Sequence, residues 1–294
     1  MNTHSSPLFS HAVALSALFA LGTSGIAAVI SDNFSGTYPG GGSGWAGDWN
    51  YRHYRTTAPD SKAEYRNINP LPGSDNYLNV RYNYNVDSSG GYSIVSRPFD
   101  TTVVDNQQAH KVSFDFRLDF ATHWNNEAER IAFFAASQAV SRNAAYNATT
   151  TNTWGLSYDG ANGWTVIESD GAGGIRFVSP SVQFQSAANA STVYSITLNI
   201  DPTSRSFTVS ITDGDRTENW DNTAFNFINP AATASGNHLH FYAHSRRGVQ
   251  TEYSLANLHV DQIPEPSTTA LAGITVAGLG LRGWFQKSKA QKAK

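Results

Sequence analysis

The chain has 294 residues, no cysteine, 15% charged residues and a formal net charge of −3. The absence of cysteine excludes disulfides, thiol catalysis and cysteine-based metal sites, so stability must come from the core. All 23 Asp and Glu lie between Ser31 and Pro266, whereas five of the 20 Lys and Arg follow Pro266, which leaves a body with a net charge of −8. An acidic body argues against nucleic acid as a partner.

Residues 1–28 have the plan of a secretory signal peptide. An apolar run from Ala12 to Leu21 is followed by small residues that end in Gly25-Ile26-Ala27-Ala28. No Lys or Arg precedes the apolar run, so this prediction depends on the run and on the small residues of the cleavage site. The alternative is a buried N-terminal helix.

The body, residues 29–262, is predicted to be all-β. Apolar residues alternate with polar ones between clusters of Gly, Asn, Asp and Ser, as expected of strands with one buried face. The clearest runs are Val112–Phe120, Trp154–Tyr158, Tyr194–Ile200, Phe207–Ile211 and Leu239–Ala243. The first places Phe114, Phe116, Leu118 and Phe120 on the core face, and residues 201–205 are predicted to connect two strands as a hairpin. Many short strands of this kind predict one sandwich of two antiparallel sheets.

Two sets of polar side chains on the non-core faces are candidates for ligand contact. The first is Asp115, Arg117 and Asp119 on one strand, whose alternative is a solvated or cross-strand-paired face. The second is His238, His240 and Tyr242, with His244 further along the same face, which could line a sugar-binding groove. Their alternatives are a structural role or a metal site, but no third and fourth metal ligand is identifiable from the sequence.

A cluster of large rings lies near the start of the body. Trp45, Trp49, Tyr51 and Tyr54 follow the run Gly40-Gly41-Gly42. The rings could form a stacking platform on a loop, but large rings normally bury, so most of them are predicted to cover one end of the sandwich.

The last segment, residues 263–294, combines three features. Pro264 and Pro266 exclude a helix at the start. Thr268 to Leu281 carries no charge, and a helix extended to Phe285 would span about 27 Å, close to one membrane crossing. Spaced lysines end the chain, and by the positive-inside rule they would stay in the cytoplasm. The alternative is a C-terminal helix of the globular domain, but this run has no polar face.

Pro264, Glu265, Pro266 and Ser267, together with the apolar run and the basic end, resemble the PEP-CTERM sorting signal of exported bacterial proteins. The resemblance implies an exosortase-type processing enzyme as partner, transient association with the inner membrane, and a final location at the cell surface, outer envelope or extracellular matrix. It also implies a link to exopolysaccharide or biofilm matrix. The basic end differs from the usual tight arginine cluster, being Arg282 followed by spaced lysines.

The order of features in the body resembles the concanavalin A-like jelly roll of lectins, glucanases and laminin-G-like domains. The resemblance implies first and last strands that lie side by side, and it suggests a calcium between them at Asp32 and Asp261. The features that carry it are Ser31-Asp32-Asn33-Phe34-Ser35, Gly44-Trp45 with Trp49, the run from Val112 to Leu118, the hairpin from Tyr194 to Ile211, and Leu255-Ala256-Asn257-Leu258-His259-Val260.

An enzyme of this fold would need catalytic carboxylates. Laminarinase-like glycosidases carry two of them two residues apart on one strand and a third three residues on. The nearest equivalent, Glu168-Ser169-Asp170, has glycine at the third position and runs into an expected turn, so no catalytic residue is assigned. A polysaccharide-binding, non-catalytic module is therefore the preferred function. A polysaccharide-degrading hydrolase or lyase and a purely structural envelope protein are the alternatives.

Overall fold

The computed structural model describes residues 28–54, 61–83, 91–121, 130–140, 152–160, 162–179, 192–219, 224–245 and 250–264. Apart from Ala28, Ile263 and Pro264, the predicted signal peptide and sorting tail lie outside these residues. Residues Ala28–Ile263 form one compact unit. Within the described part of the chain, no helix is both long enough and apolar enough to span a bilayer.

The described residues form two antiparallel sheets, as the alternating pattern predicts. The nine-stranded sheet has the order β13-β12-β11-β6-β16-β4-β3, with β1 also paired to β16 and β14 to β12. Its strands are β1 (Val29–Asp32), β3 (Lys62–Arg66), β4 (Tyr77–Asn83), β6 (His110–Ala121), β11 (Val193–Asp201), β12 (Ser206–Thr212), β13 (Thr217–Asn219), β14 (Phe225–Asn226) and β16 (Gln250–Gln262).

The seven-stranded sheet has the order β10-β9-β8-β7-β15-β5-β2. Its strands are β2 (Asn50–Tyr54), β5 (Gly91–Pro98), β7 (Arg130–Ala136), β8 (Asn152–Asp159), β9 (Gly163–Ser169), β10 (Ile175–Val178) and β15 (His238–Ser245).

The core between the sheets is built from aromatic rings. Phe114 and Phe116 of β6 meet Phe133 of β7 at ring-centroid distances of 5.2 and 5.1 Å, and Phe114 meets Phe241 of β15 at 5.5 Å. Each fully buried ring of this size contributes about 1.5–3 kcal/mol of hydrophobic stabilisation. These contacts confirm that the apolar alternation of β6 and β15 faces the core.

The first and last strands of the sandwich are neighbours, as the jelly-roll resemblance implies. Val29 is paired with Asp261, and Asp32 with Leu258. Beyond the pairing, the backbone N–H of Gln262 donates to the carbonyl of Ala28 at 3.0 Å. The two ends of the compact unit therefore lie side by side.

The alternation of β6 ends at a bulge. Leu118 pairs with Tyr253 and Phe120 with Glu252, so Asp119 is an extra residue on this strand. A bulge of this kind shifts the side chains that follow it onto the other face. Phe120 is consequently 42% exposed, and its predicted place on the core face is wrong.

The early rings cover one end of the sandwich, as predicted. Trp49 is 3% exposed and its Nε1–H donates to Oδ2 of Asp32 at 2.9 Å. The Nε1–H of Trp45 donates to the carbonyl of Ser31 at 3.0 Å. Gly42 adopts a φ of +71° and leaves no room for a Cβ beside that same carbonyl, so only glycine fits where the loop crosses β1.

Asp32 and Asp261 do not share a site. They belong to the two different ends of the β1–β16 pairing, three residues apart along the register, or roughly 10 Å. The oxygens of Asp32 accept from Phe34, Trp49 and Arg97, whereas Asp261 pairs with Lys111 at 2.7 Å. Both carboxylates are thus satisfied by protein groups, and this arrangement does not support the suggested calcium site.

Candidate functional site

The six candidate residues divide between opposite surfaces. Asp115, Arg117 and Asp119 alternate with core residues of β6 and lie on the outer face of the nine-stranded sheet. The set on β15, of which His240 and Tyr242 are buried, lies on the outer face of the seven-stranded sheet. Because the core separates the two faces, the structure does not bring the two sets together into one ligand-binding surface.

On the nine-stranded sheet, Asp115 is held by its neighbours. Its Oδ1 accepts from the hydroxyl of Ser195 at 2.5 Å, and its Oδ2 accepts from Nδ2 of Asn257 at 2.6 Å. Asn257 has a φ of +50° at the second register shift of β16, where asparagine is one of the few residues that fit. The bulge therefore aims an amide at Asp115.

Asp119 and Arg117 form the centre of a polar cluster. The Nε–H of Arg117 donates to Oδ1 of Asp119 at 2.5 Å, and its Nη2–H donates to the carbonyl of Asn69 at 3.1 Å. Ser254 and Asn79 donate to Oδ2 of Asp119. Burial raises the pKa of Asp119, although the hydrogen bond from Ser254 and the charge of Arg117 act in the opposite direction.

Ion pairs continue across the same face. Glu252 pairs with both Arg66 and Arg81 at 3.0 Å, and Glu64 pairs with Lys62 at 2.8 Å. Such partly exposed pairs each contribute about 0–1 kcal/mol, but together they leave the carboxylates occupied. This half of the nine-stranded sheet therefore has the cross-strand-paired character that was the alternative to ligand contact.

His240 has a structural position on the seven-stranded sheet. It is 1% exposed, and its ring stacks on Phe134 at 4.7 Å with an interplanar angle of 4°. Nδ1 lies 2.9 Å from the carbonyl of His238 and Nε2 accepts from the backbone N–H of Val140 at 3.2 Å, which fixes the neutral Nδ1–H tautomer. Burial lowers the pKa of His240 to about 3. Both ring nitrogens are thus used inside the protein.

His238 and Tyr242 lie on either side of His240. His238 is partly exposed, with Nδ1 3.1 Å from Oδ1 of Asn237, and burial lowers its pKa. Tyr242 is 4% exposed and stacks against Tyr92 at 5.7 Å and against His244 at 6.2 Å. Burial raises the pKa of Tyr242. Tyr242 therefore supports the partly exposed rings beside it.

Tyr92 and His244 belong to a row of side chains that crosses five strands of the seven-stranded sheet. We call it the outer row: Tyr54, Tyr92, His244, Arg130 and Asp159, which are successive partners in the strand register. At about 4.8 Å per strand the row is roughly 19 Å long. Tyr54 and Tyr92 stack at 5.6 Å and 19°. All but Asp159 are partly exposed, so the row presents three rings and the guanidinium of Arg130 at the surface.

The sequence indicated only part of this row. His244 was evident from the alternation of β15, and Tyr54 from the aromatic cluster. The sequence did not indicate Tyr92, Arg130 and Asp159. Each lies at or next to the end of its own strand, where a single residue adds no alternation of polar and apolar side chains. Only the pairing between strands places them next to one another, and no local signal encodes that pairing.

No protein-family model and no curated protein matches the chain. Among solved structures, it is similar to a sialidase with a TM-score of 0.45 and 14% identity, over 75% of this chain and 17% of that one. A legume lectin-like domain from Entamoeba histolytica has a TM-score of 0.44 and 10% identity, over 73% and 91% of the two chains. The VIP36 exoplasmic/lumenal domain, solved in a Ca2+/Man3GlcNAc-bound form, has a TM-score of 0.45 and 9% identity, over 75% and 85%.

The chain spans only 17% of the length of the sialidase. With every one of these TM-scores below 0.5, the fold is assigned from strand order and register. It is an all-β sandwich of two antiparallel sheets.

Proposed function

We propose that this chain is an exported β-sandwich that binds polysaccharide at the outer row without cleaving it. The observation that carries the proposal is the row from Tyr54 to Arg130, which is partly exposed over three strand spacings, or roughly 14 Å of sheet surface, with the buried Asp159 at its end. Aromatic rings offer flat apolar surface to sugar C–H groups, while guanidinium and carboxylate groups hydrogen-bond hydroxyls. A row of this length matches several consecutive sugar residues.

Binding without cleavage is supported by the state of the carboxylates. Glycoside hydrolysis needs two carboxyl groups about 5–9.5 Å apart that are open to one bond. Glu168 is 2% exposed and accepts from Arg176 and Asn226, whereas Asp170 caps an exposed turn through Ala172 and Gly174. Asp119 and Glu252 are occupied by the polar cluster on the opposite sheet. The described residues thus favour binding over hydrolysis.

The proposed export rests on the sequence of the two ends. Residues 1–28 would direct secretion, and the PEP-CTERM-like segment from Pro264 to Ser267 would be recognised by an exosortase-type enzyme while the apolar run is in the inner membrane. The processed protein would then join the cell surface or the extracellular matrix, where polysaccharide is available.

The test is affinity electrophoresis of the full chain through gels that contain a panel of soluble polysaccharides. Replacing Tyr54 and Tyr92 together with alanine is expected to reduce retention, because each lost ring removes about 0.5–1.5 kcal/mol, or roughly twofold to tenfold in affinity. Thr197→Ala, on the outer face of the other sheet, is the matched control. Equal retention of all three proteins would refute the role of the outer row, and release of reducing ends or unsaturated uronates would refute binding without cleavage.

A further inference from the structure

A small cleft lies at the Arg130–Asp159 end of the outer row, between the ends of four strands of the seven-stranded sheet. Its volume is about 230 Å³. This is below the roughly 300–1,000 Å³ of sites for drug-sized ligands, so the cleft suits a single ring. Its lining residues are Arg130, Asp159, Asn162, Thr165, Phe177 and Ser179.

One hydroxyl group that lines this cleft, and one on the neighbouring strand, have no hydrogen-bond partner among the described residues. Thr165, which lines the cleft, is 3% exposed, and Ser157, its neighbour in the β8–β9 register, is fully buried. Both Oγ atoms are without a partner among the described groups. A buried hydroxyl without a partner costs about 1–3 kcal/mol. A ligand hydroxyl that reached Thr165 would recover part of that cost.

The acidic group of the cleft is held in a fixed orientation. Oδ1 of Asp159 accepts from the backbone N–H of Asn162 at 2.7 Å and from its Nδ2 at 3.3 Å. Asp159 itself is 3% exposed. The Nδ2–H of Asn162 also donates to Oδ2 of Asp159 at 3.4 Å. The turn that connects β8 and β9 thereby fixes a negative charge at the wall of the cleft.

The mouth of the cleft carries an aromatic ring. Phe177 is 44% exposed, unusually high for a phenylalanine on a strand, and the guanidinium carbon of Arg130 lies 5.1 Å from its ring centroid. Arg130 and Asp159 are also partners in the strand register, and their formal charges cancel. The cleft thus combines exposed apolar ring surface with hydrogen-bonding groups and no net charge.

We infer that this cleft binds one neutral pyranose residue. Phe177 contacts a C–H face of the sugar ring, while the unpaired hydroxyl of Thr165 hydrogen-bonds one of its hydroxyls. A uronate or a sulfated sugar is disfavoured, because its charge would meet Asp159 as well as Arg130. The inference rests on the proposed function, since the cleft would hold one residue of the chain that the outer row binds.

The test is calorimetric titration of the full chain with glucose, galactose, mannose and N-acetylglucosamine, and with glucuronate as the charged comparison. We expect saturable binding of at least one neutral sugar and at least tenfold weaker binding of glucuronate. Phe177→Ala and Thr165→Val should each lower the affinity for the neutral sugar at least tenfold. Thr165→Val keeps the side-chain shape and removes the unpaired hydroxyl, so the thermal stability of this variant should be unchanged or higher. If the hydroxyl had a structural role, the variant would be less stable.

Two results would overturn the inference. In the first, no neutral sugar binds, but the polysaccharide is still retained and its retention is the same in Thr165→Val. That result would leave the proposed function intact. The other is tighter binding of glucuronate than of every neutral sugar. Replacing Tyr54 and Tyr92 should weaken binding of the polysaccharide and leave the affinity for the single sugar unchanged. Loss of all polysaccharide binding in the unmodified protein would instead refute the proposed function.

Discussion

Arg97 and Asp32 form a buried ion pair that connects the two sheets at one end of the sandwich. Their side chains are 4% and 0% exposed. Arg97 also donates from Nε to the carbonyl of Gly47 at 2.8 Å and from Nη2 to that of Gly41 at 2.7 Å, and it lies over the ring of Trp45 at 4.7 Å. One side chain thus holds strand β5, strand β1 and the glycine-rich loop together.

Replacing Arg97 by methionine should therefore be strongly destabilising. Loss of one partner of a buried pair leaves an uncompensated charge and typically costs about 3–5 kcal/mol. Urea denaturation of the wild type and Arg97→Met measures the free energy of unfolding. The matched control is Arg216→Met, whose partner is Asp213 and whose side chain is 48% exposed. It should cost at most about 1 kcal/mol, and similar costs for the two variants would contradict the assigned role of Arg97.

The buried imidazole of His240 should make stability depend on pH. Its pKa is about 3 in the folded protein and about 6.5 in the unfolded chain. Between these values the unfolded chain binds more protons, so stability is fully present above pH 6.5 and is lost as the pH falls, by at most about 1.4 kcal/mol per pH unit.

Comparison with His240→Gln isolates this effect. Between pH 7 and pH 5, the free energy of unfolding from urea denaturation should fall by about 2 kcal/mol more in the wild type than in the variant. His110, which is also buried and whose pKa is also lowered by burial, stays in both proteins and adds equally to each. Parallel pH dependence in the two proteins would show that His240 is accessible to protons when folded.

Glu168 should stabilise the sandwich and have no catalytic role. Its Oε1 accepts from Nε of Arg176 at 2.8 Å, and its Oε2 accepts from the backbone N–H of Asn226 at 2.9 Å, which connects β9 of one sheet to β14 of the other. Arg176 is 60% exposed and can be solvated once Glu168 is gone, so Glu168→Ala should lower the free energy of unfolding by about 1.5–3 kcal/mol through the lost hydrogen bonds to the carboxylate. Asp170→Asn, in the exposed turn, should leave it nearly unchanged. A folded Glu168→Ala protein of full stability would contradict this assignment.

Processing of the C-terminal segment is testable through Pro264 and Pro266. Changing Pro264, Glu265 and Pro266 to alanine should retain the protein in the membrane fraction at its unprocessed mass, because the recognition segment is lost while the apolar run remains. Immunoblots of cell fractions measure both properties. A change of Lys292 and Lys294 to glutamine, which leaves the recognition segment intact, is the control. Normal release of the alanine variant would remove the support for an exosortase-type partner.

The sequence predicted the class of fold because period-two alternation is a local property. In β6 the prediction held from Val112 to Leu118 and failed at Phe120, since an extra residue in a strand is defined only by what its partner strand does. The buried faces of β11, β12 and β15 were predicted in the same way.

The site was less accessible from the sequence. Alternation shows that Arg117 and His240 both point away from the core, but not that they belong to different sheets. The outer row includes Tyr92, Arg130 and Asp159 because pairing between strands places them next to one another. The hydrogen bond to Nε2 of His240 comes from Val140, a hundred residues earlier in the chain. Properties that depend on long-range pairing are therefore the ones that sequence reasoning missed.

The hydrogen bond between Gln262 and Ala28 has a topological consequence. Since the two ends of the compact unit meet, a short linker from Ile263 to Ala28 could close the backbone into a ring without moving a strand. The ring could then be opened at the exposed turn of Gly171 and Gly173, where φ is positive and a Cβ would meet no atom. Such a circular permutant should keep both sheets, the outer row and the cleft, and would present new termini far along the chain from the original ones.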